Sequence, residues 1–305
     1  MVKYRMVNGM KIKTSLAYRT FKIFNCILMA MIVLVTVCPF IYILSLSLSS
    51  EKYILAGQIT LFPKGLSSYA YRMIFNHPNF LRAYANTIWY TIFYIIVALF
   101  MTTITAYPLT KDNMPGCKWF KKMVMFTMIF SGGMIPNFLL IKSLGLCDSI
   151  WAITLPGALN AWHVMVMMTY FKSIPLELEE AAGIDGLSMI GVFFRIILPL
   201  SKPIIATMVL FFAVIQWNNW FGPLIYFNVN EKYPVILVLR NLLFNAQQVA
   251  MDDKTAAELL ENQEGNIGEG IKYSAIVLTT VPFLLIYPFT QKYFVQGMMI
   301  GSVKG

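Results

Sequence analysis

The stretch "LELEEAAGIDG", residues 176–186, packs three glutamates, two alanines and two glycines into one polar run. Its surroundings decide whether that run is a solvated connector or a working surface, and they are apolar. Of the 305 residues, 58% are hydrophobic and only 12% are charged, whereas a soluble globular domain carries about 25% charged residues. Cutting the chain at every charged side chain leaves six long stretches, 23–50, 83–110, 123–141, 149–171, 203–230 and 273–291. A membrane helix needs about 20 mostly apolar residues. Lipid offers no partner to bare backbone, so each stretch is expected to be helical. The expected fold class is all-α, a polytopic membrane protein with six transmembrane helices.

The first stretch follows Lys3, Arg5, Lys11, Lys13, Arg19 and Lys22, as a secretory signal would. A signal's apolar core runs only about 7–15 residues before a small-residue cleavage site. Here the run continues through "ILMAMIVLVTVCPFIYILSLSLS", so it is expected to be a retained helix. Lys and Arg accumulate in cytoplasmic loops, which places the basic tail inside. Alternation then puts 51–82, 142–148 and 231–272 outside, and 111–122, 172–202 and the C-terminal tail inside. Lys111, Lys118, Lys121, Lys122, Lys172, Arg195 and Lys202 agree with this, as does the acidic outer loop with Glu231, Asp252, Asp253, Glu258, Glu261, Glu264 and Glu269. The net charge of +10 therefore reports orientation and not nucleic-acid binding. Both termini are expected in the cytoplasm. Cys26, Cys38, Cys117 and Cys147 lack CxxC spacing and read as small apolar residues.

The opening stretch thus lies on the cytoplasmic face, where its acids stand out against basic neighbours. Pro175 suits the first turn of a helix, and Glu177, Glu179 and Glu180 sit near the positive end of its dipole. Leu178, Ala181, Ala182 and Asp185 share a face by spacing, and the alanines make that face shallow. Gly183 or Gly186 can end the helix with positive φ. A second helical run, "SMIGVFFRIIL", follows until Pro199 and Pro203. Glu177 and Glu180 repel by about 0.2–0.5 kcal/mol at that spacing, a cost that a basic partner would remove. A catalytic reading finds no accompanying His, Cys or metal-ligand spacing.

Glu180, Ala181, Ala182, Gly186, Ile196, Leu198 and Pro199 form the pattern E-A-A, three residues, Gly, nine residues, I-x-L-P. This resembles the signature loop of permease subunits in binding-protein-dependent ABC importers. The longer string "IPLELEEAAGIDG…ILPLSKP" resembles the carbohydrate branch, the maltose-importer permease family. "SGGMIPNFLLIKSLGL" (131–146) resembles its complex-oligosaccharide subgroup, and "WNNWFGPL" (217–224) its fifth-span motif. The resemblance implies a type I importer permease fold. It also implies an EAA loop that docks into a groove of a cytoplasmic ATPase, with Glu177, Glu180, Ala181, Ala182, Asp185, Gly186, Ile196, Leu198 and Pro199 at the coupling site. The chain has no G-x-x-x-x-G-K-[ST] phosphate loop. No cofactor is expected in it, and ATP and Mg would be bound by the ATPase. The implied partners are an ABC ATPase dimer, a second permease subunit in a heterodimer, an extracytoplasmic sugar-binding protein and membrane lipid, with no nucleic acid.

The expected layout is a basic tail 1–22, a first span 23–50, an outer loop 51–82, a core of five spans 83–295 and a tail 296–305. The core holds the coupling loop 172–202 and the outer loop 228–271, where "TAAE" (255–258) has capping-box spacing. Polar residues within spans face a bundle interior, and Asn86, Asn160, His163, Gln216, Asn218 and Asn219 are the main ones. Asn160, Gln216, Asn218 and Asn219 are candidates for a sugar path, where amides bond hydroxyls and nearby indoles stack on pyranose faces. His163 reads as structural. The alternative, an ion-coupled secondary transporter, needs ionisable groups near the membrane centre, and only His163 offers one. An intramembrane enzyme would need a convergent set of catalytic groups that these spans lack.

Overall fold

A computed structural model describes residues 4–7, 10–13, 16–251, 269–282 and 284, with side chains placed for 17–244, 269–282 and 284. The described elements are helical apart from one antiparallel hairpin in the basic tail. Its strands are β1 (Tyr4–Val7) and β2 (Met10–Lys13), with Tyr4 opposite Lys13. The chain forms two compact units, residues 1–73 with 246–277 and residues 74–245 with 278–305.

The first unit carries α1 (Leu16–Ser47), α2 (Glu51–Leu55) and the start of α3 (Tyr69–Asn76). α1 is long and apolar enough to cross a membrane, and its most apolar 18 residues bury nothing within the chain. It begins before residue 23 because Leu16, Ala17 and Tyr18 extend the apolar run between basic side chains. At its far end the alternating serines of "SLSLSS" act as fasteners. Ser45 Oγ donates to Leu61 O (2.6 Å), Ser49 Oγ accepts from Lys64 N (3.1 Å), and Tyr71 Oη donates to Ser47 Oγ (2.9 Å). Buried hydroxyls are thereby satisfied while the outer loop is held down.

The second unit is built around α4 (Phe80–Ala106), with a 3-10 turn at Pro108–Thr110. The other helices are α5 (Cys117–Ile129), α6 (Met134–Ser143), α7 (Ile150–Ala158), α8 (Ala161–Ser173) and α9 (Leu176–Ile184). Then α10 (Met189–Val192) runs through a π turn at Phe193–Ile197 into α11 (Leu198–Leu200). Last come α12 (Lys202–Trp217), α13 (Phe221–Tyr226) and α14 (Val235–Met251). α4 packs on α12, α7 and α8. Lipid tails are as apolar as leucine, so close packing holds such helices together more than apolar burial does. Small residues let them approach: Ala98 and Ala106 are fully buried, beside Tyr94, Met167, Met208 and Phe212. Gly157 allows α7 to reach α4, where Tyr94 Oη donates to its carbonyl at 2.8 Å.

Among the described residues, the first two expected spans are the continuous helices Ala17–Ser47 and Phe80–Thr110. The third and fourth are bent pairs, and α12, which opens the expected fifth span, forms a bent pair with the Met189–Leu200 run of the expected coupling loop. α5 and α6 meet at 115°, α7 and α8 at 55°, and the Met189–Leu200 run meets α12 at 79°. The causes are local. Gly133 sits at φ 87°, ψ 173°, a region essentially closed to other residues. Pro156 lies just before the second break, and Ser201, followed by Pro203, marks the third. Counting each bent pair once, the described residues hold up to five spans. The helix over 269–282 enters the expected sixth span. Most of that span, the acidic segment 252–268 with its "TAAE" cap, and the tail 296–305 lie outside the described residues. Within the expected outer loop 228–271, α14 is a defined helix.

Candidate functional site: coupling helix and cavity

α9 forms from the opening stretch. Pro175 precedes it in extended conformation (φ −56°, ψ 131°), and Glu177 and Glu179 occupy its first turn, where the helix dipole favours them. Gly186 ends it at φ 82°. Leu187 N–H donates to Ala182 O (3.0 Å) and Gly186 N–H to Gly183 O (3.1 Å), which is the Schellman pattern that needs a left-handed residue at Gly186. Ser188 then caps α10, its Oγ accepting from Gly191 N at 3.2 Å.

The residues expected at the coupling site do not share one free face. Glu177, Glu180, Ala181, Asp185, Gly186 and Pro199 are exposed, joined by Leu176, Leu178 and an 87% exposed Ile184. Ala182 is instead buried with Tyr107, Phe171, Phe193 and Ile197, and Ile196 and Leu198 pack against the same cluster. Its small side chain therefore seats α9 on its own unit. Glu179, not among the expected site residues, turns inward as well. It pairs with Lys111 and accepts from Tyr107 Oη at 3.3 Å. The Lys111 and Glu179 side chains are only 20% and 15% exposed, and the Lys111 ammonium also lies over the Tyr107 ring. This triad ties the segment that follows α4 to α9. Nearby, Lys121 bonds Asp112 at 2.6 Å and holds its carboxyl below the usual range.

A second feature lies at the helix breaks: a cavity of about 410 Å³. Its lining includes Tyr94, Asn137, Gln216, Asn219, Phe221 and Tyr226. Non-helical backbone at membrane depth is tolerated where it lines a cavity, and the lining parts of α6, α7, α12 and α13 adjoin breaks or caps, while Tyr94 comes from within α4. Gln216 is buried, its Oε1 accepting from Asn219 Nδ2 at 3.3 Å, while Asn219 Oδ1 accepts from Gly222 N at 3.0 Å. Gln216 and Asn219 thus come together at the cavity. Asn160 and Asn218 do not line the cavity. Asn160 caps α8, with Oδ1 accepting from Trp162 N at 2.9 Å, and Asn218 Nδ2 donates back to Val214 O at 2.8 Å. Tyr94 and Asn137 were missed, although Asn137 lies in the quoted 131–146 stretch, four residues after the hinge Gly133. His163 is buried among Trp162, Phe211 and Phe212, in line with a structural role. Among the described residues no group of His, Cys, Asp or Glu is arranged to hold a metal.

Residues 79–300 match the family described as the binding-protein-dependent transport system inner membrane component. The chain belongs to this family. Over 289 residues it is 42% identical to the protein LplC of Bacillus subtilis (strain 168), covering 95% of this chain and 96% of that protein. It is 38% identical over 275 residues to a polygalacturonan/rhamnogalacturonan transport system permease, YtcP, of the same organism, covering 90% and 95%. A solved bacterial ABC transporter involved in import of the acidic polysaccharide alginate holds a chain that superposes with TM-score 0.78 at 33% identity, covering 93% of this chain and 99% of that one. As an inner membrane component, the chain is a multi-pass permease subunit of the cell membrane and not an enzyme; ATP hydrolysis belongs to a separate subunit. The secondary-transporter alternative falls with this membership.

Proposed function

We propose that this inner membrane component conducts an oligosaccharide delivered by an extracytoplasmic sugar-binding protein. It pairs with a second permease subunit as a heterodimer, and an ATPase dimer that binds ATP and Mg docks on α9 through Glu177, Glu180, Ala181 and Asp185. Six spans with both termini in the cytoplasm complete this reading. The observation that carries it is the cavity. Its volume of about 410 Å³ falls in the usual range of ligand sites, roughly 300–1,000 Å³. Its polar groups are amides and tyrosine hydroxyls, without a charged side chain, a lining suited to sugar hydroxyls flanked by aromatic faces. The names of the relatives, among them permeases for polygalacturonan/rhamnogalacturonan and for arabinooligosaccharides, support a polymer-derived sugar.

The test is uptake of labelled oligosaccharides into proteoliposomes holding the co-purified complex with its binding protein. Accumulation should require ATP and fall on Gln216→Ala and Asn219→Ala. Uptake driven by an ion gradient without ATP would contradict it.

A further inference from the structure

Arg240, on α14, is held in an unusual way. Its guanidinium lies 4.4 Å from the Trp220 ring centre and 4.4 Å from that of Phe244. The cation thus lies over two aromatic rings, a favourable cation–π arrangement. The five N–H donors all point outward in that plane. Among the described residues no carboxylate pairs with them and no acceptor meets them. Two described carboxylates of the expected outer side are engaged elsewhere: Glu231 with Arg82 at 3.1 Å, and Asp148 with the Asn228 N–H groups. A planar fork with its edge free matches a carboxylate bidentately.

The ring that carries this guanidinium connects to the cavity. Trp220 packs edge-on against Phe221, ring centres 5.5 Å apart, and Phe221 lines the cavity. The cavity lining includes no charged side chain, and Arg240, over the ring that packs on Phe221, is a cation beside it that could meet a charged substrate. We propose that Arg240 binds a carboxylate of the passing sugar, making the substrate an acidic, uronate-containing oligosaccharide. This rests on the reading of the cavity as part of a sugar path.

The test uses the reconstituted complex with its binding protein. Probes are acidic oligosaccharides from partial hydrolysis of polygalacturonan and of alginate, each beside its methyl ester, with a neutral oligosaccharide as a further arm. The acid-to-ester ratio of ATP-driven uptake is measured within one preparation, so loss of folded protein does not alter it. The parent should favour the acid about ten- to a hundredfold, the weight of a charge-assisted hydrogen bond. Arg240→Gln should bring the ratio close to one and Arg240→Lys should fall between, while Arg82→Gln should keep the parental ratio. An unchanged ratio in Arg240→Gln overturns the proposal, and so does equal loss of acid and ester, which would place the guanidinium on a lipid phosphate. ATP-driven uptake of neutral or esterified sugar alone overturns it but leaves the importer reading standing. No ATP-driven uptake of any sugar would overturn both.

Discussion

Glu179 shows how much a single carboxylate can decide. It stands between Glu177 and Glu180 in sequence, yet it alone is turned inward, to Lys111 and Tyr107. Removing one member of such a pair strands the other charge, at a cost of about 3–5 kcal/mol when the pair is buried; partial exposure here lowers that. Glu179→Ala should therefore reduce the thermal midpoint of the purified complex by several degrees. The double variant Lys111→Met with Glu179→Met should recover most of the loss, because neither charge is left alone. Equal midpoints for Glu179→Ala and the parent would show that the triad contributes nothing. The sequence could single out Glu177 and Glu180 through their mutual repulsion at helical spacing. It could not single out Glu179, whose partner lies 68 positions away. Gly186 was legible because a positive φ has a chemical signature, whereas Asn160 and Gln216 looked alike. An amide that caps a helix and one that faces a cavity differ only in tertiary surroundings.

At the scale of elements, the charge-free runs located the helices but not their breaks. Length and apolarity state that a stretch can cross lipid, and glycine or proline marks where it can bend. The angle of 115° at Gly133 depends on what packs on either side. A different junction sits in the first unit. Glu51, at the start of α2, accepts the N–H groups of Glu269 (3.2 Å) and Gly270 (3.1 Å). Burial outweighs those bonds and pushes its pKa up from 4.5 to about 6. The folded state then keeps its proton to higher pH than the unfolded chain does. Between these values folding binds the extra proton, so stability falls as pH rises and levels off above about 6. Glu51→Gln keeps the shape without the charge. Its thermal midpoint should gain on the parent as pH is raised across that window. A difference independent of pH would contradict the shift.

The whole molecule is a multi-pass permease subunit of the cell membrane. The orientation proposed for it rests on the distribution of Lys and Arg. In a background stripped of native cysteines, single cysteines at Ser68 and Gln263 should react with an impermeant thiol reagent in intact cells, and one at Ser188 should not. Labelling at position 188 from outside would reverse the assignment.

The central claim is that α9 couples this chain to a separate ATPase, and Glu180 is exposed to meet it. Opposite charges about 4 Å apart attract by roughly 4 kcal/mol at an effective dielectric near 20, before desolvation. Reversal turns that attraction into repulsion, while an exposed substitution leaves the fold in place. The direct measurement is co-purification of ATPase with the membrane-extracted Glu180→Lys complex, alongside ATP-driven uptake. Normal membrane levels, lost ATPase and abolished uptake are predicted. ATPase retained at parental level with uptake intact would contradict the account.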